Sequence, residues 1–434
     1  MIDRRKLLVG GATVAALAGL SKVYAARETA RVSNNLVPDP KGQLDLPPGF
    51  SAKLISTAGK PMTNGQPIPG RFDGMAAFAA DAGRTVLIRN HELWPESTEG
   101  SFLSGKAPPG LPLFSTEGIG GTTTLVLAAD GVTVEQEFFS LAGTVRNCCG
   151  GPTPWGSWLS CEEARRGRSA KLEEGHGWVF EVPSSATGPV VPVPLKAMGR
   201  FNHEAAAVDR RTGIVYMTED LADGLFYRFI PSVPGKLSVG GQLQACAVKG
   251  LSTSANRDAT WATGRSLPVQ WIDLDDPDSP DDDLRQRGAT KGATVFVRGE
   301  GLAMAADNSV FLSCTEGGAN AKGQIFHYTP GRGNAGTLKL FLQPDDIGVL
   351  DMPDNMVVAP WGALVVCEDG DADNFLRLVT KDGRILTLAR NAHPDRKEFA
   401  GACFSPDGKT LYVNVQTPGF TYAIRGPWAS FTNT

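Results

Sequence analysis

Apolar residues recur along this chain in short runs, separated by turns rich in Asp, Gly, Asn and Pro. Six segments share one layout: a small or acidic opening, an apolar strand, a turn, and a second strand closing on a polar residue. They open at Phe72-Asp73-Gly74, Asn147-Cys148-Cys149-Gly150-Gly151, Asn202-His203-Glu204, Arg298-Gly299-Glu300-Gly301, Pro353-Asp354-Asn355 and Phe399-Ala400-Gly401. Most are followed by a further short strand, as over residues 177–182, 224–229 and 324–328. Small antiparallel units of this kind cannot bury both faces alone, so they must stack. Radial stacking predicts an all-β chain, a six-bladed β-propeller with inter-blade insertions that account for the irregular spacing. A stacked β-sandwich is the competing arrangement.

The repeat carries a functional consequence. The first strand of each propeller blade lines the central channel, so Asp73, Cys148 or Cys149, Glu204, Glu300 and Asp354 are expected to converge on one axis. The sixth opening, at Gly401, brings no ligand side chain. Acids and a thiol crowded together repel each other and lose hydration, a cost most simply offset by bound cations.

Ahead of the repeat, Arg4-Arg5 precedes an apolar stretch, and Val23-Tyr24-Ala25 resembles a small-residue cleavage site. This predicts a twin-arginine export signal over residues 1–25, a substrate of the twin-arginine export machinery. Residues 26–434 are expected to form a single propeller domain, periplasmic or secreted, with no stable membrane anchor after cleavage. The 51 glycines and 30 prolines suit many turns between strands. A formal net charge of −4 offers no basic footprint, which argues against nucleic acid as a partner. Seven cysteines leave at least one unpaired, metal-bound or shared with another chain.

Cys148-Cys149 reads either as a tight turn with packed or bonded thiols, or as the source of one thiolate ligand. Soft sulfur selects a redox-active or borderline metal and not calcium. Cys161, Cys314 and Cys367 lie in apolar strands and read as small core residues. In Asn90-His91-Glu92 and Asn202-His203-Glu204, neighbouring side chains face opposite ways, so His and Glu of a pair are not expected to ligate the same ion; Glu92 and Glu204 are the ligands expected here. Arg298 and Glu300, two apart, are expected to share a face and hold an anion between a guanidinium and a cation; a local salt bridge is the simpler alternative. Asp354 and Asp369 offer hard oxygen ligands in turn contexts, or simply solvated acidic turns. No Gly-x-Ser-x-Gly elbow, phosphate-cradling lysine loop or His-Glu-x-x-His helix is present, so a covalent serine route has no support.

This ordered set resembles the PhoX family of bacterial alkaline phosphatases. It comprises the twin arginines, Asn90-His91-Glu92, Asn147-Cys148-x-Gly150-Gly151-x-Thr153-Pro154-Trp155-Gly156 with Cys161-Glu162-Glu163, residues 199–204, Arg298-x-Glu300-Gly301 and Pro353-Asp354-Asn355. The resemblance implies a propeller holding two iron ions and calcium that hydrolyses small phosphate esters. By that resemblance Cys148 is the iron thiolate, and Glu204, Glu300 and Asp354 are carboxylate ligands. Glu162 or Glu163 binds calcium or iron, Asp369 competes with Asp354, and Arg298 binds phosphate. This chain is shorter than common members, and Cys149 beside Cys148 departs from their pattern. Two other functions fit a channel of this kind: a calcium-dependent lactonase or esterase, and a non-catalytic metal-binding propeller.

Overall fold

The structure, a computed structural model, describes residues 35–98, 107, 110–164, 175–344, 346–395 and 397–432. The expected export signal lies outside them. The described residues are all-β apart from two short α-helices, Leu284–Thr290 and Trp428–Thr432, and a few 3-10 turns.

The sheets are antiparallel and arranged like a propeller. Phe72–Ala79, Thr85–His91, Gly120–Leu127 and Val134–Thr144 form one meander; Asn147–Pro152, Ser157–Glu162 and Val179–Pro183 form the next. Further round, Pro353–Val358, Leu364–Glu368, Phe375–Val379, Ile385–Asn391 and Leu44–Asp45 make a five-stranded sheet. Phe399–Phe404, Leu411–Val415 and Phe420–Arg425 are completed by Ser51–Thr57, so a strand from early in the chain pairs with the last one, Ser51 opposite Arg425. That pairing joins the two ends of the ring.

The expectation of six separate blades is corrected here. Four separate blade-like sheets accompany one nine-stranded sheet, which contains both the unit starting at His203 and the unit starting at Gly299. The physical reason is the long insertion between them. Its strand Ser266–Asp273 pairs with Gly241–Val248 on one edge and Ala335–Leu342 on the other, fusing the two outer edges. Its burial alternates, as expected of a peripheral strand, whereas Val215–Glu219 and Leu364–Glu368 are buried throughout.

Six strands pack side by side around the axis: Phe72–Ala79, Asn147–Pro152, His203–Val208, Gly299–Met304, Pro353–Val358 and Phe399–Phe404. Apolar cores fill the wedges between consecutive units, for example Leu159, Val179, Met217 and Phe229 in one, and Leu44, Val365, Val413 and Tyr422 in another. Cys161, Cys314 and Cys367 sit fully buried in these cores, as small core residues should. The axial strands approach closely enough to require glycine. A Cβ at Gly151 would stand 1.8 Å from the Ala206 carbonyl oxygen, a contact between backbones that no rotamer relieves. Gly151→Ala should therefore destabilise the protein by about 3 kcal/mol, measured as a fall in denaturant midpoint. An unchanged midpoint would show that these two strands can separate freely.

Candidate metal centre

Each axial strand begins with the same irregularity. Its register with the following strand shifts after the first residue in five strands, between Phe72 and Met75, Asn147 and Gly150, His203 and Ala206, Gly299 and Leu302, and Pro353 and Met356, and one residue later in the sixth, between Ala400 and Cys403. A bulge of this kind re-aims one side chain. The residues inside it include Asp73, Cys148, Glu204, Glu300 and Asp354, the channel-lining set expected from the repeat.

Two further positions repeat with it. The residue before each axial strand accepts a backbone hydrogen bond from the residue after the second strand. The pairs are Arg71–Glu92, Arg146–Glu163, Asn202–Asp220, Arg298–Thr315, Met352–Asp369 and Glu398–Gln416, at 2.9 to 3.3 Å. Arg71, Arg146, Arg298 and Met352 have φ of 51°, 47°, 53° and 45°, a left-handed conformation that costs a non-glycine residue about 1–3 kcal/mol. Three of these four are arginines, and all three side chains reach one cavity of about 230 Å³ at this mouth of the axis. Its walls also carry Asp73, Glu92, Cys148, Glu163, Asp220, Glu300, Asp354, Asp369, Glu398 and Gln416.

Three groups there could hold a cation, with donor atoms within 4.8 Å of one another: Glu92, Cys148 and Glu163; Glu204, Glu300 and Asp354; and Asp354, Asp369 and Glu398. The first includes a thiol and suits a borderline metal; the other two are all-oxygen and suit hard cations. The fit has independent support, because Glu204 Oε2 is fully buried and has no hydrogen-bond partner among the described residues. Bound cations would supply the missing contact.

Eight carboxylates against three guanidiniums in one cavity leave a large negative excess. Burial, and then the neighbouring Glu92, push Asp73 up to about 7. Burial also raises Glu163, Glu204, Glu300, Asp354 and Glu398 well above the usual carboxylate range, with neighbouring acids adding to the effect in each. The Cys148 thiol, 3.6 Å from Asp73 Oδ2, is held protonated for the same reasons, burial first and then Asp73. Against burial, Glu163 and Glu92 keep Arg146 firmly charged, and Glu300 and Asp220 do the same for Arg298.

Of the residues nominated from sequence, Cys148, Glu204, Glu300, Asp354, Glu163, Glu92, Asp369 and Arg298 meet at this mouth. Glu162 does not. It stands one position before Glu163, so it faces the other way, and its carboxylate accepts from Val145 N, His176 Nδ1, Gly177 N and Trp178 N at 2.6 to 3.1 Å. Glu219 and Glu368 occupy the equivalent place and clamp their own corners, through Tyr227 and Arg377. His91 and His203 are likewise turned away onto the Gly70 and Gly199 carbonyls. Asn90 pins the thiol pair by donating to the carbonyls of Cys148 and Cys149. Sequence reasoning missed Arg71, Arg146, Asp220, Glu398 and Gln416. Aligning the residues that flank each two-strand unit, and not only its opening, was the signal that could have found them.

Carboxylates with folded-state pKa values above their unfolded ones bind protons more tightly in the fold. Metal-free protein should therefore lose stability as pH rises from about 4 through about 7 and beyond. The expected observation is a melting temperature that falls steadily with pH after chelation and is restored most strongly by cations at the alkaline end. A chelated protein with a flat profile would contradict the crowding.

Similarity to known proteins agrees with this geometry. The family model for alkaline phosphatase PhoX matches residues 33–134 and 121–419. Among solved structures, Pseudomonas fluorescens PhoX in complex with vanadate, a transition state analogue, has a TM-score of 0.70 at 18% identity, covering 90% of this chain and 97% of that one. A gluconolactonase from Xanthomonas campestris, XC5397, reaches a TM-score of 0.44 at 15% identity over 88% of this chain and 99% of its own. No curated protein sequence is significantly similar. The family match spans nearly all of the described residues, and on that ground the chain belongs to the PhoX family of alkaline phosphatases.

Proposed function

We propose that this chain is an exported phosphomonoesterase that works with iron at the thiol-containing group and calcium at the all-oxygen groups. The family supports phosphatase activity and dependence on metal. The finer assignment rests on donor chemistry. The observation that carries it is the meeting of one thiol, many carboxylates and three arginines in a single small cavity. A purely calcium-dependent lactonase would need neither the thiol nor the guanidiniums.

In this reading Cys148, Glu92 and Glu163 hold iron, while Glu204, Glu300, Asp354, Asp369 and Glu398 hold calcium and the remaining iron contacts. The bound ions would supply Lewis-acid stabilisation of the phosphoryl and leaving-group oxygens. The protein's own groups position these elements. Arg298 Nε donates to Asp220 at 2.5 Å and Nη2 to Glu300 at 2.9 Å, so it fixes the orientation of a ligand carboxylate. Arg146 restrains Glu92 and Glu163 in the same way, at 2.7 and 2.6 Å. The carboxylate partners are largely buried while the two guanidiniums are partly exposed, so screening of these contacts by water is reduced and not abolished.

Hydrolysis of p-nitrophenyl phosphate should disappear after exhaustive chelation and return when iron and calcium are supplied together. Turnover that survives metal removal would reject the mechanism. Cys148→Ser should remove iron from the purified protein and lower kcat by about 100-fold or more, the scale of losing a Lewis acid worth several kcal/mol; full iron content in that variant would reassign the thiolate. Replacing Arg4 and Arg5 by lysine should leave the protein in the cytoplasm, and unimpaired export would refute the twin-arginine route.

A further inference from the structure

We propose that Arg71 binds a non-bridging oxygen of the substrate's phosphoryl group, a role for which the sequence nominated only Arg298. The proposal rests on the phosphatase reading given above.

Arg71, Arg146 and Arg298 occupy equivalent places. Each precedes an axial strand, each is left-handed, and each reaches the same cavity. Their partners differ. Arg146 is committed to Glu92 and Glu163. Arg298 is committed to Asp220 and Glu300, with Glu316 at 3.5 Å. The Arg71 side chain makes one hydrogen bond among the described residues, from Nη1 to Gln416 Oε1 at 3.0 Å.

The identity of residue 416 is the reason. At the equivalent position, after the second strand, other units carry Glu92, Glu163, Asp220 and Asp369, or Thr315, which does not line the cavity; here the residue is a neutral amide that does. Gln416 Nε2 donates to Glu92 Oε2 at 2.8 Å and to Asp73 Oδ2 at 3.3 Å. The amide thus stands between Arg71 and the nearest acids, orienting the guanidinium without neutralising it. A guanidinium has five N–H donors in a planar fork. One is used, and the others belong to a cation that lines a cavity beside the Glu92, Cys148 and Glu163 group. A tetrahedral dianion matches such a fork in charge and geometry, and a neutral ester does not.

The test uses the full chain loaded with metal and two readouts: steady-state hydrolysis of p-nitrophenyl phosphate, and inhibition by inorganic phosphate. Arg71→Ala should raise both KM and the phosphate inhibition constant by about 10-fold or more, the loss expected for a charge-assisted hydrogen bond, with metal content unchanged. Arg71→Lys should recover part of it, and Gln416→Glu, which gives Arg71 a counter-charge, should weaken phosphate inhibition although the arginine remains. Metal-loaded Arg71→Ala with wild-type phosphate inhibition would overturn the assignment. Where Arg71→Ala fails to fold or load, Arg71→Lys with wild-type inhibition would do so. Wild-type protein that hydrolyses no phosphomonoester would instead remove the underlying reading, a result distinct from turnover that is insensitive to residue 71.

Discussion

Like charges gathered in a buried space are the constraint around which this molecule is organised. Acids from different units lose water at one mouth of the axis, and the three arginines there cannot balance them. The fold tolerates this in two ways without a ligand: protons stay on the carboxylates, and arginines clamp those that remain charged. Bound cations would relieve the repulsion more completely, and would tie the fold's stability to metal binding.

A repeated corner delivers these groups. The bulge near the start of each axial strand sets one side chain toward the mouth in most units, a left-handed arginine before three of the strands adds a second, and the residue after the second strand commonly adds a third. Adjacent residues then diverge in purpose. Glu163, Asp220 and Asp369 enter the cavity, while Glu162, Glu219 and Glu368 turn back and hold the corner together. One repeat therefore yields both the ligands and the clamps that fix them, and variation in single residues, such as Gln416 in place of an acid, changes what each unit offers.

The other half of the axis is built differently. Met75, Ala206, Leu302, Met356 and Cys403 follow the bulges and line a second cavity there, of mixed polar and apolar character. Small side chains and glycines allow the strands to converge, as at Gly301, where a Cβ would lie 2.4 Å from the Asp354 carbonyl oxygen. The charged residues are thus concentrated at the end where the axial strands begin, and mainly small and apolar residues follow along each strand.

Much of this was written in local pattern. Short apolar runs and turn residues determined an all-β repeat, and the openings Asp73, Cys148, Glu204, Glu300 and Asp354 identified the channel-facing set, because strand periodicity and repeat position are properties of neighbouring residues. Tertiary structure decided the rest. Strand Ser266–Asp273 fused two units through pairings with partners far along the chain, which no local period encodes. The choice between Glu162 and Glu163 depended on which side of a corner each faces, and the roles of Arg71, Arg146, Glu398 and Gln416 on a ring of contacts between units. Those contacts join different units, Arg146 to Glu92 across 54 positions and Arg71 to Gln416 across 345, and the second exists only once the ring has closed.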